Sequence, residues 1–192
     1  AELRLSIEGM RPGRHMVSCA IEDTVLRTHI IIHPPREHSV QIDRRSGSLA
    51  ADGLSFFPVG FYTYSPVQPT LPEEEVVKGF NLISPYQRIT RSTRPERKAY
   101  MDRCANLGMK VNYNLCSIAG GGGAGSSRME LDEEELTALL REEVIAFRDH
   151  PALLSWYIAD EPAGRYVKPE KLEGLYSIIH QLDPYHPVSM VF

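Results

Sequence analysis

The sequence predicts an α/β fold, namely part of a TIM (β/α)8 barrel preceded by strands of a β-sandwich. Three observations lead to this prediction. From residue 58 onward, apolar runs alternate with amphipathic helical segments, as in a parallel sheet with helical crossovers. The first third of the chain instead alternates apolar and polar residues with a period of two. The apolar runs after residue 58 number five, whereas a complete barrel has eight strands.

Residues 1–35 are expected to be the C-terminal strands of a β-sandwich. Apolar and polar residues alternate over residues 3–7, and two further β-rich runs cover residues 15–22 and 24–33. Two consecutive prolines then end the pattern. About 35 residues are too few for a whole sandwich.

Residues 36–57 are predicted to form a hairpin that links the sandwich to the barrel. Val40-Gln41-Ile42 is its first strand, and Arg45-Ser46-Gly47 supplies the first turn. A second turn is expected at Asp52-Gly53, a dipeptide that favours two-residue hairpin loops.

Residues 58–192 are assigned to the first half of the barrel. Apolar runs predict strands at residues 59–62, 80–84, 109–115, 153–158 and 188–192. Helical periodicity, Pro at first turns and a terminal Gly predict helices at residues 71–78, 94–107, 132–148 and 168–182. An open doubly wound sheet also fits this order, although no G-x-G-x-x-G follows the first strand to favour a nucleotide binder.

Five barrel strands leave an unpaired edge and an uncovered apolar inner face. The remainder of the barrel in a longer chain, a partner chain or self-association is therefore expected to cover them.

Composition excludes several classes of function. The 192 residues carry a net charge of −4 without a basic cluster, which argues against a nucleic-acid surface. No apolar run approaches the roughly 20 residues needed to span a bilayer. The three cysteines Cys19, Cys104 and Cys116 fit no zinc pattern and are expected to be small buried residues. No metal or cofactor is expected, and the sequence shows no signal peptide.

The segment from His150 to Pro162 carries the chemistry. An apolar strand runs directly into two adjacent carboxylates, Asp160 and Glu161. In a (β/α) barrel the carboxyl ends of the strands form the active-site rim, so these carboxylates are expected to face the mouth. A carboxyl group among apolar and aromatic neighbours tends to a raised pKa, which suits a general acid.

This segment resembles the fourth barrel strand of clan A glycoside hydrolases, which commonly ends in Asn-Glu-Pro. The resemblance implies that Glu161 is the acid/base of a retaining mechanism. Asp160 stands where Asn usually contacts the sugar 2-hydroxyl, and it adds a negative charge beside Glu161. Residues 48–62 resemble the hairpin that leads from a β-sandwich into the first barrel strand of family 2 hydrolases. Sugar-cleaving relatives are often secreted, which favours an extracytoplasmic location.

Other strand ends are expected to line the same mouth and to bind a carbohydrate substrate. The candidates are Tyr62, Tyr64, Tyr86, Asn112, Asn114 and Trp156. The resemblance implies that the nucleophile is a Glu at the end of a seventh strand, so residues 1–192 alone are not expected to complete a double displacement. The alternative is a non-catalytic module, derived from such a barrel, that binds carbohydrate or serves a structural role.

Overall fold

The structure, a computed structural model, describes residues 5–63, 71–120, 131–165 and 167–191. The chain divides into two compact units, Ala1–Arg36 and Glu37–Phe192. Each unit is described by itself below. The assignment of the first unit to a β-sandwich stays a prediction.

The first unit contains one antiparallel hairpin. Strand β1 (Gly13–Ile21) pairs along its whole length with strand β2 (Thr24–Ile32). Glu22, in the turn, has a left-handed φ of 51°. Residues 5–7 are not in a strand, so the prediction of a strand over residues 3–7 is wrong in its described part. Alternation alone does not form a strand, because the backbone groups need a neighbouring strand to bond with.

The second unit begins with a small antiparallel sheet. Its strands are β3 (Val40–Ile42), β4 (Leu49–Ala51) and β5 (Leu54–Phe56), with β4 in the centre. Asp52 and Gly53 join β4 to β5 with φ angles of 52° and 75°. Positive φ at both positions is what a two-residue type I′ turn requires.

A five-stranded parallel sheet forms the centre of the second unit. Its strands are β6 (Gly60–Thr63), β7 (Leu82–Pro85), β8 (Lys110–Asn114), β9 (Leu153–Asp160) and β10 (Val188–Val191). They pair in sequence order from β6 at one edge to β10 at the other. A doubly wound sheet would reverse its strand order, whereas a barrel does not. The predicted fold class, α/β with part of a TIM barrel, is therefore confirmed.

Helices connect the parallel strands. They are α1 (Leu71–Val77), α2 (Arg94–Asn106), α3 (Cys116–Ala119), α4 (Glu133–Phe147) and α5 (Pro169–Leu182). Four of them lie within one residue of their predicted bounds. The short helix α3 was not predicted, because four residues carry too little periodicity to be recognised. No helix in the described part of the chain is long and apolar enough to cross a membrane.

The two faces of the parallel sheet are buried by different partners. One face packs against the helices and supplies the main core, which includes Ile83, Val111, Tyr113 and Trp156 from the strands and Leu139, Leu140, Val144 and Phe147 from α4. The opposite face, called the inner face below, is closed at the amino end of the strands. There Leu154 packs with Val40 and Ala51 of the small sheet. The inner face therefore remains available for polar groups nearer the carboxyl ends of the strands.

Candidate active site at the carboxyl end of the parallel sheet

The two predicted carboxylates lie where β9 ends. Asp160 is the last residue of the strand and is half-buried, whereas the Glu161 side chain is exposed. The Glu161 amide donates a hydrogen bond to the Val191 carbonyl oxygen at 2.9 Å, which ties this corner to β10. Pro162 then starts a short 3-10 helix.

Glu161 has a left-handed φ of 48°. Residues other than glycine adopt this region at a cost of order 1–3 kcal/mol, and such conformations cluster at functional sites. The turn makes Asp160 and Glu161 differ in environment although they are adjacent in sequence. One carboxylate is held within the protein, and the other is open to solvent.

Three tyrosines surround Asp160. The Tyr86 hydroxyl donates a hydrogen bond of 2.8 Å to Asp160 Oδ2. The Tyr62 ring lies 5.5 Å from the Tyr86 ring and 5.7 Å from the Tyr157 ring, measured between centroids. These four residues, Tyr62, Tyr86, Tyr157 and Asp160, are called the tyrosine cluster. They bring together the carboxyl ends of β6, β7 and β9.

Burial and the Asp160 charge keep these phenols protonated. Burial is the largest cause that raises the pKa of Tyr86, and the hydrogen bond to Asp160 raises it further. Burial also raises the pKa of Tyr157, with added contributions from Tyr62 and Asp160. Tyr62 likewise has a raised pKa, chiefly because it is partly buried. Each hydroxyl therefore has a proton to donate at neutral pH.

Asn112 organises a polar layer on the inner face, one side-chain repeat below the strand ends. Its Oδ1 accepts hydrogen bonds from Ser155 Oγ at 2.7 Å and from Ser189 Oγ at 3.1 Å. The Ser84 hydroxyl donates to the Asn112 carbonyl oxygen at 3.2 Å. The side-chain oxygen of Asn112 is thus occupied by protein donors, and its role as a substrate contact stays a prediction.

Asn114 lies at the end of β8, opposite Tyr157 on β9 in the parallel register. Its side chain is fully buried, and its Oδ1 accepts a hydrogen bond from the Cys116 amide at 2.9 Å. Within the described residues, its Nδ2 has no hydrogen-bond partner. Asn114 therefore has an amide donor left over at the level of the tyrosine cluster.

Trp156 does not belong to the site. Its side chain is 0% exposed, its ring contacts Tyr113 at a centroid distance of 5.5 Å, and its Nε1 donates to Asp183 Oδ2 at 2.8 Å. No face of this indole is open to a sugar, so the expectation that Trp156 binds substrate is corrected. Adjacent residues on a strand point to opposite faces, and Trp156 points toward the helices.

Tyr157 was not among the predicted site residues, although it lies in the tyrosine cluster. Alternation counted back from Asp160 would favour Trp156 over Tyr157, because residues two and four apart on a regular strand share a face. The pairing of β9 with β10 is irregular between Ser189 and Met190, and this irregularity interrupts the alternation. The sequence therefore carried no signal that could have found Tyr157.

Tyr64, another predicted site residue, lies outside the described residues. No group of three or more His, Cys, Asp or Glu side chains that could hold a metal ion is found in the described part of the chain.

Solved structures with a similar fold include glycoside hydrolases. A protein from Bacteroides vulgatus assigned as a glycoside hydrolase matches with a TM-score of 0.55 and 14% identity, over 94% of this chain and 45% of that one. Pseudomonas stutzeri endoglucanase Cel5A matches with a TM-score of 0.51 and 16% identity, over 69% of this chain and 50% of that one. Amycolatopsis orientalis exo-chitosanase CsxA matches with a TM-score of 0.50 and 15% identity, over 91% of this chain and 21% of that one.

These likenesses show the fold alone, because all three identities are below 25%. The chain spans half or less of the length of each of these proteins. No protein-family model matches the sequence, and no curated protein matches it. The chain therefore has a glycoside hydrolase-like fold of the partial-barrel type.

Proposed function

We propose that this chain is part of a retaining glycoside hydrolase domain in which Glu161 is the general acid/base. The observation that carries the proposal is the paired carboxylate corner at the end of β9, with Asp160 held by Tyr86 and Glu161 open to solvent. The carboxyl ends of barrel strands are where such enzymes have their catalytic groups. The glycoside hydrolase-like fold supports the same reaction class.

In this proposal the Glu161 carboxyl protonates the glycosidic oxygen while the bond from that oxygen to the anomeric carbon breaks. A second carboxylate attacks the anomeric carbon, and Glu161 then takes a proton from the water that releases the sugar. The second carboxylate is assigned to a seventh strand, beyond the five strands described. Hydrolysis thus requires the rest of the barrel, and residues 1–192 alone are expected to be inactive.

Asp160 is proposed to bind a sugar hydroxyl beside the reacting bond. The hydroxyls of Tyr86 and Tyr157 fix the orientation of its carboxylate, whose further lone pairs can accept a hydrogen bond from a ligand. Tyr62, which is 44% exposed, is proposed as the aromatic wall against which a sugar ring packs.

The test compares two isosteric changes at neighbouring positions, Glu161→Gln and Asp160→Asn, in the natural full-length polypeptide. Glu161→Gln removes the transferable proton and should lower kcat/KM on oligosaccharides by about 10²–10⁴-fold. Asp160→Asn keeps a hydrogen-bond acceptor and should lower it by about tenfold or less. Glu170→Gln, an exposed change on α5, is the control and should have no effect.

Unchanged activity of Glu161→Gln would contradict the proposed acid/base role. A second measurement uses Glu161→Ala with aryl glycosides that have good leaving groups, plus added azide. Restored turnover and formation of a glycosyl azide are expected if Glu161 supplies proton transfer, since the glycosyl intermediate can then still form.

A non-catalytic carbohydrate-binding module is the second candidate. The three clustered tyrosines favour it, because they offer a binding surface that needs no nucleophile. The full-length polypeptide would then bind oligosaccharides without releasing sugar. Tyr62→Ala would abolish binding, and Glu161→Gln would leave it unchanged.

A further inference from the structure

The carboxylate corner at the end of β9 carries negative charge without a cationic partner. Within the described residues, no Lys, Arg or His side chain forms an ion pair with Asp160 or Glu161. The buried Glu143, by contrast, pairs with both Arg94 and Arg97. Since two adjacent carboxylates repel each other, a positive charge brought to this corner would be attracted.

The protein groups that hold Asp160 are neutral. The hydroxyls of Tyr86 and Tyr157 both form hydrogen bonds with its carboxylate. Burial is the largest cause that raises the pKa of each phenol, so both remain protonated at neutral pH. They orient the carboxylate and donate to it, but they leave its charge uncompensated. The charge of Asp160 is therefore available to a ligand.

An aromatic surface borders the same carboxylate. The Tyr62 ring lies 5.5 Å from the Tyr86 ring and 5.7 Å from the Tyr157 ring, and Tyr62 is 44% exposed. The face of an aromatic ring attracts a cation. A ligand that packs on Tyr62 would thus meet a carboxylate and an aromatic face, the two kinds of group that bind an ammonium ion.

A buried donor at the neighbouring strand end independently points to a ligand. Asn114 is 0% exposed, and its Oδ1 accepts from the Cys116 amide, but its Nδ2 has no hydrogen-bond partner among the described residues. Asn114 is in register with Tyr157, and such partners point to the same face of a parallel sheet. Buried polar groups are normally paired, so Nδ2 indicates a ligand atom that accepts a hydrogen bond. An ammonium group only donates, so the ligand also carries an acceptor such as a hydroxyl.

We propose that the candidate site binds an amino sugar, a sugar ring with a protonated amine, and that Asp160 accepts a hydrogen bond from its ammonium group. The ring then packs on Tyr62, and Asn114 Nδ2 donates to a hydroxyl oxygen of the same ring. This inference rests on the proposed carbohydrate site and names its substrate class. Asp160 determines specificity in this arrangement, and Glu161 keeps its proposed acid/base role.

The test uses three disaccharides that share linkage and ring configuration and differ in one substituent beside the anomeric carbon. The glucosamine disaccharide carries an ammonium group, its N-acetyl form carries a neutral acetamide, and cellobiose carries a hydroxyl. The pair of amine and hydroxyl is repeated with galactose- and mannose-configured rings, so that ring configuration does not decide the result. Ethanolamine, an amine without a sugar ring, distinguishes an amino sugar from any small cation.

Titration calorimetry is performed on the full-length polypeptide with Glu161→Gln, which prevents turnover and leaves Asp160 as the remaining carboxylate of the corner. In at least one ring configuration, we expect the amine probe to bind about tenfold or more tightly than its neutral counterpart, because hydrogen bonds between charged groups are the stronger ones. Added salt should weaken binding of the amine probe more than binding of the neutral probe. Ethanolamine should bind far more weakly than the amine disaccharide.

Asp160→Asn, a nearly isosteric change, should abolish the preference for the amine probe, and its thermal midpoint reports whether the variant is folded. Glu170→Gln removes an exposed carboxylate on α5 and should leave the preference unchanged. If Asp160→Asn does not fold, the comparison of probes and its salt dependence in the protein with Asp160 decide.

Equal affinity for the amine and hydroxyl probes in every ring configuration would overturn this inference, as would an amine preference that survives in Asp160→Asn. Ethanolamine that binds as tightly as the amine disaccharide would reveal a general cation site and would also overturn it. The proposed hydrolase is tested separately by the Glu161→Gln rate on oligosaccharides, so hydrolysis without an amine preference sinks only this inference. Absence of both binding and hydrolysis by the wild-type full-length polypeptide sinks both proposals.

Discussion

Two aromatic residues that are neighbours on β9 belong to buried clusters of opposite character. Trp156 donates to Asp183 Oδ2 at 2.8 Å, and His186 Nδ1 lies 2.8 Å from the same oxygen. The other ring nitrogen of His186 donates to the His38 carbonyl oxygen at 2.8 Å. These three side chains, Trp156, Asp183 and His186, are called the Trp156 network, and each of their polar atoms is paired. Tyr157, next along the chain, belongs to the tyrosine cluster, where its hydroxyl lies beside the Asp160 carboxylate and its ring lies 5.7 Å from that of the exposed Tyr62.

The comparison separates polar groups that stabilise the closed core from polar groups that lie at a strand end open to solvent. Both clusters contain aromatic rings and an aspartate, so residue type alone does not distinguish them. The Trp156 network lies in the core beside the helices, where unpaired groups would only be destabilising. The tyrosine cluster lies at the carboxyl ends of barrel strands, where Tyr62 is exposed and polar groups can also meet a ligand.

A second fully paired network should give the largest effect. Glu143 is fully buried between Arg97, whose Nε lies 2.6 Å from Oε1, and the Tyr113 hydroxyl. Glu143→Ala leaves the Arg97 charge buried without its carboxylate, and should lower the free energy of unfolding by about 3–5 kcal/mol. Urea unfolding checks this, with exposed Glu134→Ala as control. If Glu143→Ala lowered the free energy of unfolding no more than Glu134→Ala, the comparison would be contradicted, because fully paired buried groups would then not stabilise the fold.

Trp156→Phe should have the next largest effect. It removes the indole donor to Asp183 and leaves a small void, so the free energy of unfolding should fall by about 2–3 kcal/mol. The affinity of the full-length polypeptide for oligosaccharides should be unchanged, because the indole has no open face. If Trp156→Phe weakened sugar binding without lowering the free energy of unfolding, Trp156 would have to be counted among the substrate-binding residues after all.

A smaller effect is expected from acid on the stability contributed by Glu142. This residue pairs with Arg91 and Arg94, and Arg94 also pairs with the buried Glu143. Hydrogen bonds from Arg91 and then Arg94 lower the pKa of Glu142 to about 2, from an ordinary value of 4.5. A lowered folded pKa stabilises the protein above pH 4.5, and this stabilisation is lost as the pH falls from 4.5 toward 2. Since the pair is partly exposed, we expect a contribution below about 1 kcal/mol.

The measurement compares unfolding of wild type and Glu142→Gln over this pH range. The variant should be slightly less stable at pH 7, and the difference should vanish near pH 2. A difference that is independent of pH would show that Glu142 acts through packing and not through its charge.

The elements that sequence predicted best are those with strong periodicity. The apolar stripe of α4 includes Leu140 and Val144, and its start carries the Asp132 capping box, so both its bounds and its buried face could be predicted. Short elements such as α3 were missed. The strand predicted over residues 3–7 was wrong where it is described, because pairing is a tertiary event.

For the site, the sequence predicted that Asp160 and Glu161 share one strand end, and the structure has them there. Their catalytic assignment stays a prediction. The sequence did not distinguish Trp156 from Tyr157, because two adjacent aromatic residues on a strand give the same composition signal in either orientation. The pairing of β8 with β9 also shifts register between Val111 and Asn112, so the simple alternation of side chains between the two faces is interrupted there.

By itself the sequence determined the α/β class, the order of strands and helices, and the position of the carboxylate pair. These depend on local periodicity, on caps and on residues adjacent in the chain. Only the tertiary structure decided that Tyr86 holds Asp160, that Asn114 and Tyr157 share a level, and that Trp156 is core. Those outcomes depend on which side chains meet across β7, β8 and β9, and strands far apart in sequence meet only after the sheet has formed.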